Sequence, residues 1–135
     1  MTTLFVCSQG RIRSRSAEVL TLLGGQDARS CGIDDDAVVI LNNELMRDAD
    51  LIVCFEPAHA DKVRLYMGSE GKEVICLHIP DVFDPFDPQM VYRTIQALHG
   101  RSVSKAIERG FERFKKTSLA NSHRSSRTAN TFLGL

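Results

Sequence analysis

The feature that most limits the fold is a set of short apolar runs set apart by helix-length segments. Leu51-Ile52-Val53-Cys54-Phe55 is apolar at every position. A run with no polar face suits a strand covered on both sides. Val74-Ile75-Cys76-Leu77-His78-Ile79 reads the same way, and Leu4-Phe5-Val6-Cys7 is a shorter example. Residues 28–33 form a weaker fourth strand candidate. Between the runs, residues 14–23 place Ala17, Leu20 and Leu23 on one helical face, and Gly24-Gly25 stops that helix. Asn43 is expected to cap a short helix through residue 48, and Pro57 suits the first turn of a helix to about residue 67. A last helical stretch is expected over residues 90–116, broken near Gly100. Strands alternating with helices imply right-handed crossovers and a parallel sheet. The expected fold is α/β, a single three-layer domain with a four-stranded parallel sheet and helices on both faces. Ligands in such sheets bind beyond the carboxyl ends of the strands. That singles out the loop after strand one, residues 7–14, and the loop after strand four, residues 80–88.

The chain has 135 residues, enough for one domain with its own core. That domain is expected over residues 1–116. Residues 117–135 are rich in Ser, Thr, Asn and Arg and contain no acid, which predicts a disordered basic and polar tail. The formal net charge is zero, so no global field draws the protein to nucleic acid or to a membrane. An anion has to be attracted by a local site. No two of Cys7, Cys31, Cys54 and Cys76 lie within four residues of each other, which fits no zinc pattern. No metal and no cofactor are expected. Met1-Thr2-Thr3 leads into an apolar run far shorter than a signal or membrane segment. A cytoplasmic protein with reduced thiols is expected.

Residues 7–14 read Cys-Ser-Gln-Gly-Arg-Ile-Arg-Ser. A cysteine followed six residues later by an arginine is a weak pattern alone. Its context sharpens it: a strand ends at Cys7, a short loop contains a glycine, a hydroxyl follows Arg13, and a helix begins at once. A loop of this kind can aim successive amide N–H groups at one point, and the helix N-terminus adds positive charge there. Ser8, Gln9, Gly10, Arg11, Ile12 and Arg13 are the expected phosphate-binding residues. Gly10 permits a backbone conformation that a side chain would obstruct. Arg13 offers a planar fork for two phosphate oxygens. Cys7 lies at the bottom, where a positive field favours thiolate over thiol. Ser14 can donate its hydroxyl to the Cys7 sulfur. Arg11 is otherwise a solvated loop residue that helps draw in a dianion, and Arg15 a solvated helix residue.

Phosphoryl transfer to sulfur needs a proton for the leaving oxygen and later a base for water. Residues 79–88 supply Asp81, Asp84 and Asp87. Asp81 follows the strand directly. Asp84 and Asp87 each precede a proline, and Asp87 is placed to cap the last helical stretch. Phe83 and Phe86 either line a slot for an aromatic ring or belong to the core. His59 and His78 read as satisfied structural residues, and Cys31, Cys54 and Cys76 as core thiols.

Taken together these segments resemble the low-molecular-weight protein tyrosine phosphatases, especially their short bacterial relatives. The matching residues are Leu4-Phe5-Val6-Cys7, Arg13-Ser14, Ala17-Glu18, Ala28-Arg29-Ser30-Cys31-Gly32, Asp48-Ala49-Asp50-Leu51-Ile52 and Ile79-Pro80-Asp81. The resemblance covers roughly residues 3–100. It implies catalysis without metal through a thiophosphate intermediate. It casts Cys7 as nucleophile, Arg13 as phosphate clamp, Ser14 as the hydroxyl partner of the sulfur, and Asp81 as general acid. The family usually has Asn where this chain has Gly10, and Pro where it has Arg15. Its general acid is usually followed by Pro and an aromatic residue, a pattern that fits Asp84-Pro85-Phe86 better than Asp81. The leading expectation is a phosphatase acting on a phosphoprotein or small aryl phosphate. An arsenate reductase would need further cysteines in relay with Cys7. A phosphocysteine carrier or phosphate-binding domain would hold the thiophosphate without hydrolysis.

Overall fold

The computed structural model describes residues 1–124, with side chains described through residue 118. Strands β1 (Thr2–Cys7), β2 (Asp27–Gly32), β3 (Leu51–Cys54) and β4 (Val74–Cys76) form one parallel sheet in the order β2-β1-β3-β4. The period-two alternation of the strands divides the core in two. Phe5 and Cys7 of β1, and Leu51 and Val53 of β3, face helices α1 (Arg13–Leu23), α4 (Pro88–Ala97) and α5 (Ser102–Arg124). Leu4, Val6, Ile52 and Cys54 face helices α2 (Asn43–Asp48) and α3 (Pro57–Arg64). The expected α/β fold, four parallel strands with helices on both faces, is the observed one.

Glycine sets the closest approach of α1 and α5. A Cβ on Gly110 would fall 1.8 Å from the Leu20 carbonyl oxygen, and one on Gly24 would fall 1.7 Å from that of Ala106. The helices pack backbone to backbone, with Ile107 and Phe111 filling the seam beside them.

Several boundaries differ from expectation. β4 stops at Cys76 because His78 takes a left-handed conformation at φ 56°. Leu77 and Ile79 still donate to the carbonyls of Cys54 and Phe55, so only His78 leaves the ladder, and it is exposed rather than satisfied within a strand. Asn42, not Asn43, caps α2, its side chain accepting from the Leu45 N–H. Asn43 instead accepts from the Gly68 N–H. α3 ends at Arg64, followed by a short 3-10 turn at Met67–Ser69. As expected, the last helical stretch breaks near Gly100, which adopts φ 89° between α4 and α5.

α5 continues to Arg124, so residues 117–124 are helical rather than part of a structureless tail. The Thr117 hydroxyl donates to the Arg113 carbonyl, which lets a hydroxyl residue stay in the helix. Residues 125–135 lie outside the described residues. Among the described residues no helix is long and apolar enough to cross a membrane, and no group of three or more His, Cys, Asp or Glu side chains could hold a metal ion.

Candidate active site

The loop between β1 and α1 turns its carbonyls outward. Ile33, Asp34 and Val38 donate to the carbonyls of Cys7, Ser8 and Gln9 at 3.0, 2.9 and 3.1 Å. With these oxygens taken up on the outside, the N–H groups are left for the inside of the curl. Among the described residues, no hydrogen bond uses the amide N–H of Ser8, Gln9, Arg11 or Ile12, and that of Gly10 donates to Cys7 Sγ at 3.2 Å. No side chain caps α1, and its first turn holds no acid, so the helix N-terminus is also free for an anion. Gly10 sits at φ 67°, and a Cβ there would approach the Cys31 carbonyl carbon to 3.0 Å. The turn therefore depends on glycine both for conformation and for space.

Cys7 lies at the floor of this curl. Its sulfur is 2.9 Å from Ser14 Oγ, and that hydroxyl is also 3.4 Å from the Cys31 carbonyl oxygen. A Cys7 thiol can donate to Ser14 while Ser14 donates to the Cys31 carbonyl, whereas a thiolate can only accept from the Ser14 hydroxyl. Cys7, Gln9, Arg11, Ile12, Arg13 and Asp81 together line a recess of about 60 Å³. Four of the expected phosphate-binding residues thus share one cavity with Cys7 and Asp81.

Arg13 is only 2% exposed and is held on several sides. One terminal nitrogen donates to Glu56 Oε2 at 2.6 Å and to the Ile79 carbonyl at 2.9 Å. The other reaches Ser8 Oγ at 3.4 Å, and Nε lies 3.8 Å from Asp81 Oδ1. A buried guanidinium needs such partners, because an unpaired one is strongly disfavoured. Arg13 in turn holds the Glu56 carboxyl below its usual range, first by hydrogen bonding and also by its charge.

His59 completes the support, a role sequence reasoning missed. It is 1% exposed at the third position of α3. The Glu56 N–H donates to Nδ1 at 2.9 Å, so Nε2 carries the proton and donates to Ser8 Oγ at 3.1 Å. The Ser8 hydroxyl accepts from His59 and Arg13, which leaves its own proton to point elsewhere. Burial, reinforced by the Arg13 charge, lowers the His59 pKa to about 4. The ring is therefore neutral at pH 7. Glu56 was also missed: it is an ordinary glutamate before a proline, and its partner lies 43 residues away.

The three aspartates separate clearly. Asp81 stands at the mouth of the recess, exposed, facing Arg13. Asp84 is exposed outside the recess lining, and its carbonyl accepts from the Asp87 N–H. Asp87 caps α4 through the Gln89 N–H at 2.8 Å. Phe86 is core: it takes a left-handed conformation, stacks on Phe114 at 4.3 Å, and its N–H donates to Ser16 Oγ. Phe83 is half-buried against the core under Arg93. Neither ring lines the recess. Cys31 and Cys54 are buried, which pushes both thiols upward, Cys54 to about 12.

No family model matches the sequence, and no curated protein matches it. Solved structures do. Tyrosine phosphatase Wzb from Escherichia coli, in complex with phosphate, matches with 19% identity and a TM-score of 0.52, over 86% of this chain and 96% of that one. The YwlE arginine phosphatase from Geobacillus stearothermophilus matches with 20% identity and a TM-score of 0.51, over 88% and 96%. A low-molecular-weight protein tyrosine phosphatase from Bacillus subtilis matches with 20% identity and a TM-score of 0.51, over 84% and 98%. With the strand order and the placement of Cys7 after β1, these matches show that the chain has the fold of the low-molecular-weight protein tyrosine phosphatases.

Proposed function

We propose that the protein is a cysteine-dependent phosphatase that hydrolyses aryl phosphomonoesters of the phosphotyrosine type. The observation that carries this reading is the convergence on one sulfur: free amides, the Ser14 hydroxyl and the Arg13 guanidinium all surround Cys7. Such an arrangement neutralises the equatorial oxygens of a phosphoryl group held in line with a nucleophile.

In the first step Cys7 Sγ, as thiolate, bonds to phosphorus while the bond from phosphorus to the aryl oxygen breaks. Asp81, as carboxylic acid, gives its proton to the departing oxygen. In the second step the Asp81 carboxylate takes a proton from water, and that water's oxygen bonds to phosphorus. The sulfur leaves as thiolate, stabilised by the Ser14 hydroxyl, and inorganic phosphate is released. Arg13 clamps two phosphoryl oxygens throughout. Asp81 is preferred over Asp84 as the acid because it shares the recess with Cys7.

The fold is shared by tyrosine phosphatases and by an arginine phosphatase, so it does not choose the phosphoryl acceptor. The aryl assignment rests on Arg11 in the lining of the recess, a cation unsuited to a cationic leaving group. The deep burial of Cys31 and Cys54 weighs against a thiol relay of the arsenate reductase kind. The expected setting is the cytoplasm.

Purified protein should hydrolyse para-nitrophenyl phosphate without added metal. Cys7→Ser should remove the activity, and Asp81→Asn should lower kcat by about a hundredfold, within the range for loss of a general acid. Undiminished turnover by Cys7→Ser would refute the assignment.

A further inference from the structure

Residues 33–41 leave the end of β2 and wrap the outside of the phosphate loop. Three backbone hydrogen bonds clip them to Cys7, Ser8 and Gln9, and a parallel bridge joins Ile40 to Gly32. This backbone is firmly tied down, yet its side chains Val38, Val39 and Ile40 are 68, 45 and 49% exposed. Three adjacent β-branched side chains in water add nothing to the core and invite association. Such a run on a fixed backbone marks a contact surface.

Val38 and Val39 form one wall of a groove of about 440 Å³. Arg11 and Arg15 belong to its lining, with Glu18 and Ser30. Arg11 also lines the recess above Cys7, so groove and recess meet at one side chain. The charges do not cancel. Glu18 accepts from Arg15 at 2.7 Å and from the Ser30 hydroxyl at 2.7 Å. Among the described residues, the Arg11 side chain makes one long hydrogen bond, 3.5 Å, to the Asp36 carbonyl. Among the lining residues two guanidiniums stand against one carboxylate beside an apolar wall; Asp34, Asp35 and Asp36, on the same segment as the valines, are not in the lining.

We propose that this groove is a substrate subsite for the chain that flanks a phosphorylated tyrosine in a protein substrate. An acidic residue there meets Arg11 and Arg15, and an apolar one packs on Val38 and Val39. The proposal rests on the phosphatase reading above and extends it: the physiological substrate is an acidic, apolar-flanked phosphoprotein rather than a free aryl phosphate. Charge complementarity of this kind favours encounter and selects among partners.

The test uses two phosphotyrosine peptides of equal length, one flanked by Glu and Leu, the other by Lys and Ser. Their binding to the full-length Cys7→Ser protein is followed by fluorescence anisotropy. The acidic peptide should bind about tenfold more tightly. Arg15→Glu, added to that background, should erase the difference, and Val38→Ser with Val39→Ser should shrink it severalfold. In the protein that keeps Cys7, the same groove substitutions should leave kcat/KM for para-nitrophenyl phosphate within about twofold. Equal binding of the two peptides, or a preference that survives both sets of substitutions, overturns the subsite while intact hydrolysis leaves the phosphatase reading standing. No hydrolysis and no peptide binding would overturn both.

Discussion

The guanidinium of Arg13 donates to the carboxylate of Glu56 at 2.6 Å, and this pair holds the proposed clamp in place without a bound anion. Arg13 is buried, and Glu56 is the N-cap of α3, just beyond β3, the strand that pairs with β1. A flexible arginine would have to be ordered on each binding event, so the pair preorganises the site.

Removing that anchor should weaken catalysis without touching the substrate. Glu56→Ala should lower kcat/KM for para-nitrophenyl phosphate by about a hundredfold, comparable to loss of one oxyanion donor. Glu56→Gln keeps the side-chain length and a hydrogen-bonding oxygen, so its loss should be nearer tenfold. Steady-state kinetics on the two variants checks this, and an Ala variant with unaltered kcat/KM would contradict it.

His59 makes stability fall in mild acid. Its folded pKa is lowered to about 4, first by burial and then by Arg13, while Glu56, Asp34 and Asp81 pull it upward. An unfolded histidine takes up its proton near pH 6.5. The stabilising contribution is therefore complete above about pH 6.5 and is lost as the pH falls toward 4. The loss between pH 7 and pH 5 should be roughly 2 kcal/mol. Protonating Nδ1 also ejects the Glu56 N–H that it accepts. Glu56, whose pKa is lowered as well, acts in the same direction at lower pH. Urea unfolding at the two pH values measures the effect. In His59→Gln the pH dependence over that interval should flatten.

Gly110 should be intolerant of alanine although it lies inside a helix. Alanine gains about 1 kcal/mol of helix propensity over glycine. Against that, the new Cβ would stand 1.8 Å from the Leu20 carbonyl, a backbone atom that cannot swing aside. Overpacking of this kind costs about 1–3 kcal/mol, and here the whole of α1 has to move. Gly110→Ala should therefore lower Tm by several degrees in a thermal melt. A raised Tm would mean that the two helices have slack the geometry denies.

How much of this was legible in the sequence varied with the distance of the controlling contact. β3 is apolar throughout and β1 from Leu4 to Cys7 because both faces are buried there, so the residues announce the strands directly. The sulfur, the glycine and the arginine of the phosphate loop lie within seven residues, and their chemistry is local. Asp87 as helix cap was equally local. His59 was read as satisfied but without a partner; the partner, Ser8, is 51 residues away. Glu56 depends on the Arg13 side chain and the clipped segment at 33–41 on the backbone of residues 7–9, partners too distant to be read from spacing. Phe86 was left between slot and core, and stacking on Phe114 of α5 decides for core. The sequence offered three aspartates after β4, with position favouring Asp81 and the following Pro-Phe favouring Asp84, and tertiary placement puts Asp81 alone of the three in the recess lining.

The most direct test of the central claim is to catch the phosphoryl group on its proposed acceptor. The protein is mixed with excess para-nitrophenyl phosphate, quenched within milliseconds, digested, and the peptides are mapped by mass spectrometry. The account predicts phosphate on the peptide containing Cys7, at the sulfur, accumulating further in Asp81→Asn if water attack becomes slow. Turnover with no phosphate on Cys7, or with phosphate on another residue, would contradict it.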